Sequence, residues 1–129
     1  MKFNFKQYIP GRKPSRKEQI SVMTNGGFNF LSGFYRKNKT DQFKYTIINY
    51  DVDKDIIAFL FTNNGEKVGA MKISHRKSTG YVKAQTIWKD MGKDVNHCIG
   101  RYPVHHDVYL GDDIHYICLP EKENEKTKT

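Results

Sequence analysis

The chain has only two cysteines, one tryptophan and four prolines in 129 residues, and no apolar run approaches the ~20 residues of a membrane-spanning helix. No helical membrane anchor is therefore expected. The first ten residues alternate charged and aromatic side chains instead of forming an apolar leader, which reads as an intracellular, cytoplasmic chain with reduced cysteines. Cys-x-x-Cys and His-x-x-x-His spacings are absent, so His97, Cys98, His105, His106, His115 and Cys118 do not form a zinc pattern, and no metal or other cofactor is expected. A strand over 102–110 also turns His105 and His106 to opposite faces. There is no Gly-rich phosphate loop, nucleophile elbow or Cys/His signature, so the expectation is a non-catalytic protein.

What the chain does have is aromatic and positive. Aromatic residues make up 13%, enough for a folded core despite a mean hydropathy of −0.74. The net charge is +8, and its excess lies at the N-terminus, where Lys2, Lys6, Arg12, Lys13, Arg16 and Lys17 stand against Glu18 within residues 1–18. This divides the chain into a basic arm (1–19), one β-rich domain (20–119) and a flexible charged tail (120–129). Basic arms of this kind bind phosphate backbones through counterion release, and they also serve as solvated, solubilising segments.

Turn residues punctuate alternating apolar runs along the domain. Phe3, Phe5 and Tyr8 are candidates to anchor a first short strand. Ile20-Ser21-Val22-Met23, the turn Thr24-Asn25-Gly26-Gly27 and Phe28-Asn29-Phe30 predict a hairpin, because Asn-Gly supplies the positive φ values of a tight turn. Leu31, Phe34 and Tyr35 at helical spacing predict a short helix over 31–37. Strands are expected over 45–50 and 56–61, joined by the aspartate-rich turn 51–55, which lacks the glycine and distal glutamate of a calcium loop. Further strands are expected over 68–74, 81–84, 102–110 and 114–119, with a second helix around Ile87, Trp88 and Met91 that ends near Gly92.

The order strand, helix, strand, strand thus occurs twice, over about 20–62 and 73–119. Gly27 to Leu31 with Phe34-Tyr35 aligns at an offset of 53 with Gly80 to Ala84 and Ile87-Trp88, and Asp55-Ile56-Ile57 aligns with Asp113-Ile114-His115. The fold class expected is α+β and β-rich, a pseudo-duplicated antiparallel sheet system or barrel with two short helices. Residues 28–30, 31–37, 45–50 and 56–61 resemble, in their order, the AbrB/SpoVT type of swapped-hairpin DNA-binding domain, without its proline at the entry to the helix and without Gly-Asp before Tyr45. The resemblance implies a dimer meeting DNA through basic side chains, here Arg16, Lys17, Arg36, Lys37 and Lys39. The duplicated pattern is similar also to PC4-like and Whirly-like single-strand binders.

Aromatic rings beside basic side chains can stack unpaired bases, at ~1 to 3 kcal/mol per base. Tyr35 and Tyr81 are candidates for that role, with Arg36, Lys37, Lys39, Arg76, Lys77 and Lys83 around them. Core packing accounts equally well for both tyrosines and better for Trp88. The sequence reading is a nucleic-acid-binding domain that uses Arg12, Lys13, Arg16, Lys17 and this basic, aromatic edge. The alternative is a protein-interaction module, of the phage or mobile-element accessory kind, whose edge strands pair with a partner. No membrane partner is expected, and the oligomeric state, a homodimer included, is left open.

Overall fold

The computed structural model describes residues 2–5 and 17–120. Ten strands and two short helices follow one another as β1 (Gln19–Val22), β2 (Phe28–Phe30), α1 (Ser32–Lys37), β3 (Tyr45–Asp51), β4 (Ile56–Thr62), β5 (Met71–Lys72), β6 (Ser74–His75), β7 (Gly80–Val82), α2 (Ile87–Met91), β8 (Gly100–Pro103), β9 (His105–Tyr109) and β10 (Asp112–Cys118). Short 3-10 turns lie at Thr40–Gln42 and Val95–His97. The strands form two antiparallel sheets, β6-β7-β2-β1-β8 and β5-β3-β4-β10-β9.

The sheets are joined at both edges. Ile73 alone separates β5 from β6, and Val104 alone separates β8 from β9, so at each edge one strand crosses between the sheets, from the second to the first at Ile73 and from the first to the second at Val104. Backbone bonds carry across these corners, from Ile73 N–H to the Lys44 carbonyl at 2.9 Å and from Val104 N–H to the Glu18 carbonyl at 3.1 Å. The fold is thus a two-sheet α+β domain with bent corner strands rather than a closed barrel ladder.

Its ladders show the expected duplication. Exchanging β1 with β5–β6, β2 with β7, β3 with β8–β9 and β4 with β10 carries every strand pairing onto another: β1·β2 onto β6·β7, β1·β8 onto β5·β3, and β3·β4 onto β9·β10. The pairs β2·β7 and β4·β10 map onto themselves. The offset of 53 holds in the helices, where Phe34 and Tyr35 correspond to Ile87 and Trp88, all buried. It fails by one residue in the strands. Phe28 and Phe30 are buried with Asn29 half-buried, while Gly80 and Val82 are buried with Tyr81 half-buried, so Tyr81 shares its phase with Asn29 and not with Phe28.

Local chemistry explains the elements. Asn25 Oδ1 accepts from Gly27 N–H at 2.9 Å, and Gly26 takes φ +88°, which closes the β1–β2 hairpin. Helix α2 ends in a Schellman motif, with Gly92 at φ 68°, Gly92 N–H bonded to Lys89 and Lys93 N–H to Trp88. Helix α1 has no side-chain cap and only six residues, too few to be stable alone. Burial of Phe34 and Tyr35 holds it. The core is aromatic at its centre: Phe59 meets Phe28 and Phe30 edge-on at 5.1 and 5.4 Å, and Phe61 meets Phe30 at 5.2 Å. Such pairs contribute about 0.5–1.5 kcal/mol each beyond their burial.

Three expected elements differ. Residues 3–5 form no strand; Phe3 and Phe5 are exposed and stack on each other at 4.9 Å, while Tyr8 lies outside the described residues. The strand expected over 68–74 begins only at Met71, and Val68 is 95% exposed because it sits in the turn after β4. The strand expected over 102–110 is bent at Val104 into β8 and β9, each serving a different sheet.

Candidate nucleic-acid interface and an open cleft

Three elements meet at His75. Its Nε2 lies 2.7 Å from the Phe43 carbonyl, which can only accept, so that nitrogen carries the hydrogen. In the neutral ring Nδ1 then accepts from the Tyr35 hydroxyl, also at 2.7 Å. Tyr35, His75 and Phe43 are each followed in the chain by a basic residue, namely Arg36, Arg76 and Lys44, all exposed. Lys37, Lys39 and Lys77 extend the group, with Lys39 at φ 51° in the left-handed region. Tyr35 itself is 4% exposed and cannot stack a base. Burial, with a contribution from Asp41, pushes its phenol above the ordinary tyrosine range. Its expected role as a stacking platform is corrected to that of a buried tether, because its ring packs against Gly80 and its hydroxyl is bonded to His75.

Tyr81 does face outward. The register places Ser74, Tyr81, Asn29, Ser21 and Arg101 in one row across the outer face of the first sheet. Its ring lies on the backbone of Gly27, where any side chain would collide with it, and its hydroxyl accepts from Asn25 Nδ2 at 2.8 Å. Lys83 is exposed but stands just past the end of β7, three residues from Gly80 and about 10 Å from the His75 junction. Lys17 is exposed next to Glu18; Arg12, Lys13 and Arg16 lie outside the described residues. Trp88 is in the core, stacked on Phe28 at 5.7 Å and donating from Nε1 to the Gly26 carbonyl at 2.8 Å.

Beside the junction opens a cleft of about 730 Å³ between α1 and the β9–β10 hairpin. Phe43, Phe61 and His115 line its apolar side, and Glu18, Lys37, Asn38, His106 and Asp113 its polar side. Lys37 Nζ is 2.8 Å from Glu18, and this hydrogen bond holds the Glu18 carboxyl below the ordinary range. His106 Nε2 is 3.2 Å from Asp113 Oδ1. His115 opposes His106 across β9 and β10 with ring centres 5.2 Å apart, and its ring also contacts Phe34 at 5.1 Å and Phe61 at 5.9 Å. Desolvation there pushes the His115 imidazole below its ordinary range; His106 adds to that, while Asp113 and Glu18 oppose it.

The other end of the sandwich is closed. Lys93, its side chain 4% exposed, bridges Asp55 at 2.9 Å and the Pro120 carbonyl at 3.0 Å, and Leu119 N–H bonds the Asp55 carbonyl. Asp55 and Asp113 are counterparts in the duplicated chain. One half therefore carries a lysine bridge where the other leaves a histidine facing open space.

Sequence reasoning missed this cleft. No local spacing in the sequence pairs His106 with Asp113; the strand register brings them together. His105 does take the opposite face, against the Tyr116 ring at 5.1 Å. Cys98 is buried, and burial pushes its thiol upward. Cys118 shares its face with Ile114 and Tyr116 and is exposed; Ile117 takes the core position on β10. Among the described residues no three His, Cys, Asp or Glu side chains are grouped to hold a metal ion, and no helix is long and apolar enough to cross a membrane. Comparison with protein families, with curated proteins and with solved structures finds no match for this chain.

Proposed function

We propose that this chain binds nucleic acid, with the basic group around His75 and the N-terminal arm taking phosphates and Tyr81 offering an outward ring. The observation that carries the reading is the hydrogen-bonded junction of Tyr35, His75 and Phe43, which draws Arg36, Arg76 and Lys44 from three separate elements to one border. Pre-positioned cations release counterions from a phosphate backbone without the entropy cost of gathering them. The strand, helix, hairpin order of residues 19–63, on which the AbrB/SpoVT resemblance rests, supports the same reading. Changing Arg36 and Arg76 together to alanine should flatten the salt dependence of binding by about 1.4 to 1.8 in log–log slope, at ~0.7–0.9 per contact. Changing Lys83 and Lys89 removes the same charge at the far end and should alter the slope by less than half as much. Equal effects of the two double variants sink the local reading.

A second reading has its own observation. The tip of the β9–β10 hairpin exposes Val108, Tyr109 and Leu110, the last at 83%. Leu110 and Gly111 have φ of 52° and 84°, so a leucine occupies a left-handed turn position that asparagine or glycine fills at lower cost. With β9 bonded on its β10 side, this tip fits a protein partner that accepts an apolar hairpin. Binding that survives high salt and is lost in Leu110→Asp distinguishes it.

A further inference from the structure

The duplication leaves one end of the sandwich open, and that end holds two imidazoles in unlike settings. His115 is boxed by Phe34 and Phe61, and its ring nitrogens make no hydrogen bond with the described residues and are not sealed from solvent. His106, 5.2 Å away between ring centres, has Nε2 on Asp113, and its Nδ1 makes no hydrogen bond with the described residues. The cleft lining contains no hydroxyl or thiol side chain, so an attacking oxygen in an acid–base reaction there comes from water or from the substrate itself. RNA carries such an oxygen beside every phosphate.

Resting on the nucleic-acid reading, we infer that this cleft is an acid–base site that cleaves single-stranded RNA by internal transesterification, with His115 as general base, His106 as general acid and Asp113 positioning His106. His115 takes the proton of the ribose 2′-hydroxyl. The 2′-oxygen forms a bond to phosphorus, the bond from phosphorus to the 5′-oxygen breaks, and protonated His106 gives its Nδ1 proton to that leaving oxygen while Nε2–H stays on Asp113. The products are a 2′,3′-cyclic phosphate and a free 5′-hydroxyl; exchange of one proton with water restores both rings. No external oxidant, reductant or cofactor enters the balance.

Several features favour this division of labour. The aromatic box keeps His115 neutral and able to accept a proton. A carboxylate on Nε2 of His106 fixes that ring's tautomer and orientation. Of the three carboxylates that line the cleft, Glu18 and Asp113 are each bonded to a proton donor, Lys37 and His106, while Asp112 stands at the start of β10, by the hairpin tip. Lys37 also supplies positive charge for the equatorial oxygens as they gain charge.

The test uses the full chain with a 5′-labelled single-stranded RNA and the DNA of the same sequence, in the presence of a chelator. RNA should be cut to fragments ending in 2′,3′-cyclic phosphate and DNA left intact. His106→Ala, an exposed position where folding is not at stake, and His115→Gln should each slow cleavage by about 100-fold or more while RNA binding persists. Asp113→Asn should slow it less and shift the alkaline limb of the bell-shaped pH profile, the limb on which the general acid is lost. RNA that is bound but never cut, or cut equally well by the double His106→Ala and His115→Gln variant, overturns this inference and leaves the binding reading standing. If RNA is not bound at all, both fall.

Discussion

Replacing His75 by alanine removes no lysine or arginine, yet the account requires it to affect both stability and binding. The variant leaves the Tyr35 hydroxyl, on a side chain 4% exposed, without its acceptor and the Phe43 carbonyl without its donor. A net hydrogen bond contributes about 0.5–1.5 kcal/mol, and a buried group left unsatisfied costs about 1–3 kcal/mol. His75 is exposed, so water replaces part of the loss on the Phe43 side, and the expected cost is ~2 kcal/mol. Tyr35→Phe leaves only the accessible Nδ1 of His75 unpaired and should cost ~1 kcal/mol. In a double-mutant cycle by urea denaturation the two changes should cost less together than their sum, with a coupling of about 0.5–1.5 kcal/mol. The same His75 variant should weaken oligonucleotide binding, because Arg36, Arg76 and Lys44 are no longer held by one junction. Additive effects on stability, with binding unchanged, would refute the idea that this junction organises the basic group.

Other expectations follow from buried groups. Thr40 and Thr46 are both fully buried, but Thr46 Oγ1 donates to the Leu60 carbonyl at 3.1 Å while Thr40 Oγ1 has no partner among the described residues. Thr46→Val should therefore destabilise by ~1 kcal/mol and Thr40→Val should stabilise by a similar amount, opposite signs that denaturant midpoints resolve. A thiol reagent should label Cys118 at once and Cys98 only on unfolding; two fast thiols would place Cys98 wrongly. Burial pushes the Tyr102 phenol to about 12, so the unfolded chain ionises first and stability is lost as pH rises past 10.0, the ordinary tyrosine value. On the acid side His115 lies below its ordinary 6.5, so its contribution is present above that value and lost as pH falls toward the folded one. Tyr102→Phe and His115→Gln should each flatten the corresponding limb of a stability–pH curve.

Much of the fold is legible in the sequence because its signals are local. Asn25-Gly26 marks a hairpin by backbone chemistry, Gly92 marks the end of α2, and the aspartates of 51–55 mark a turn whose Lys54 N–H bonds Asp51. The duplication shows through because turns and buried positions repeat. Local signals mislead where a strand is only two residues long, as at Met71–Lys72, or where an apolar residue such as Val68 sits in a turn. Burial of Tyr35 is illegible because it depends on β6 and β7 closing over α1, with Gly80 leaving room for its ring. The cleft is illegible for the same reason: Glu18, Lys37, His106 and His115 come from four places in the chain, and only strand register brings them to one wall.

Equilibrium binding of labelled single-stranded RNA, single-stranded DNA and duplex DNA, each measured across a series of salt concentrations, tests the central claim most directly. The account predicts log K falling linearly with log salt, with a slope of about −3 or steeper for four or more phosphate contacts at ~0.7 to 0.9 each. No binding at low salt to any of the three, or binding whose affinity does not change with salt, contradicts it.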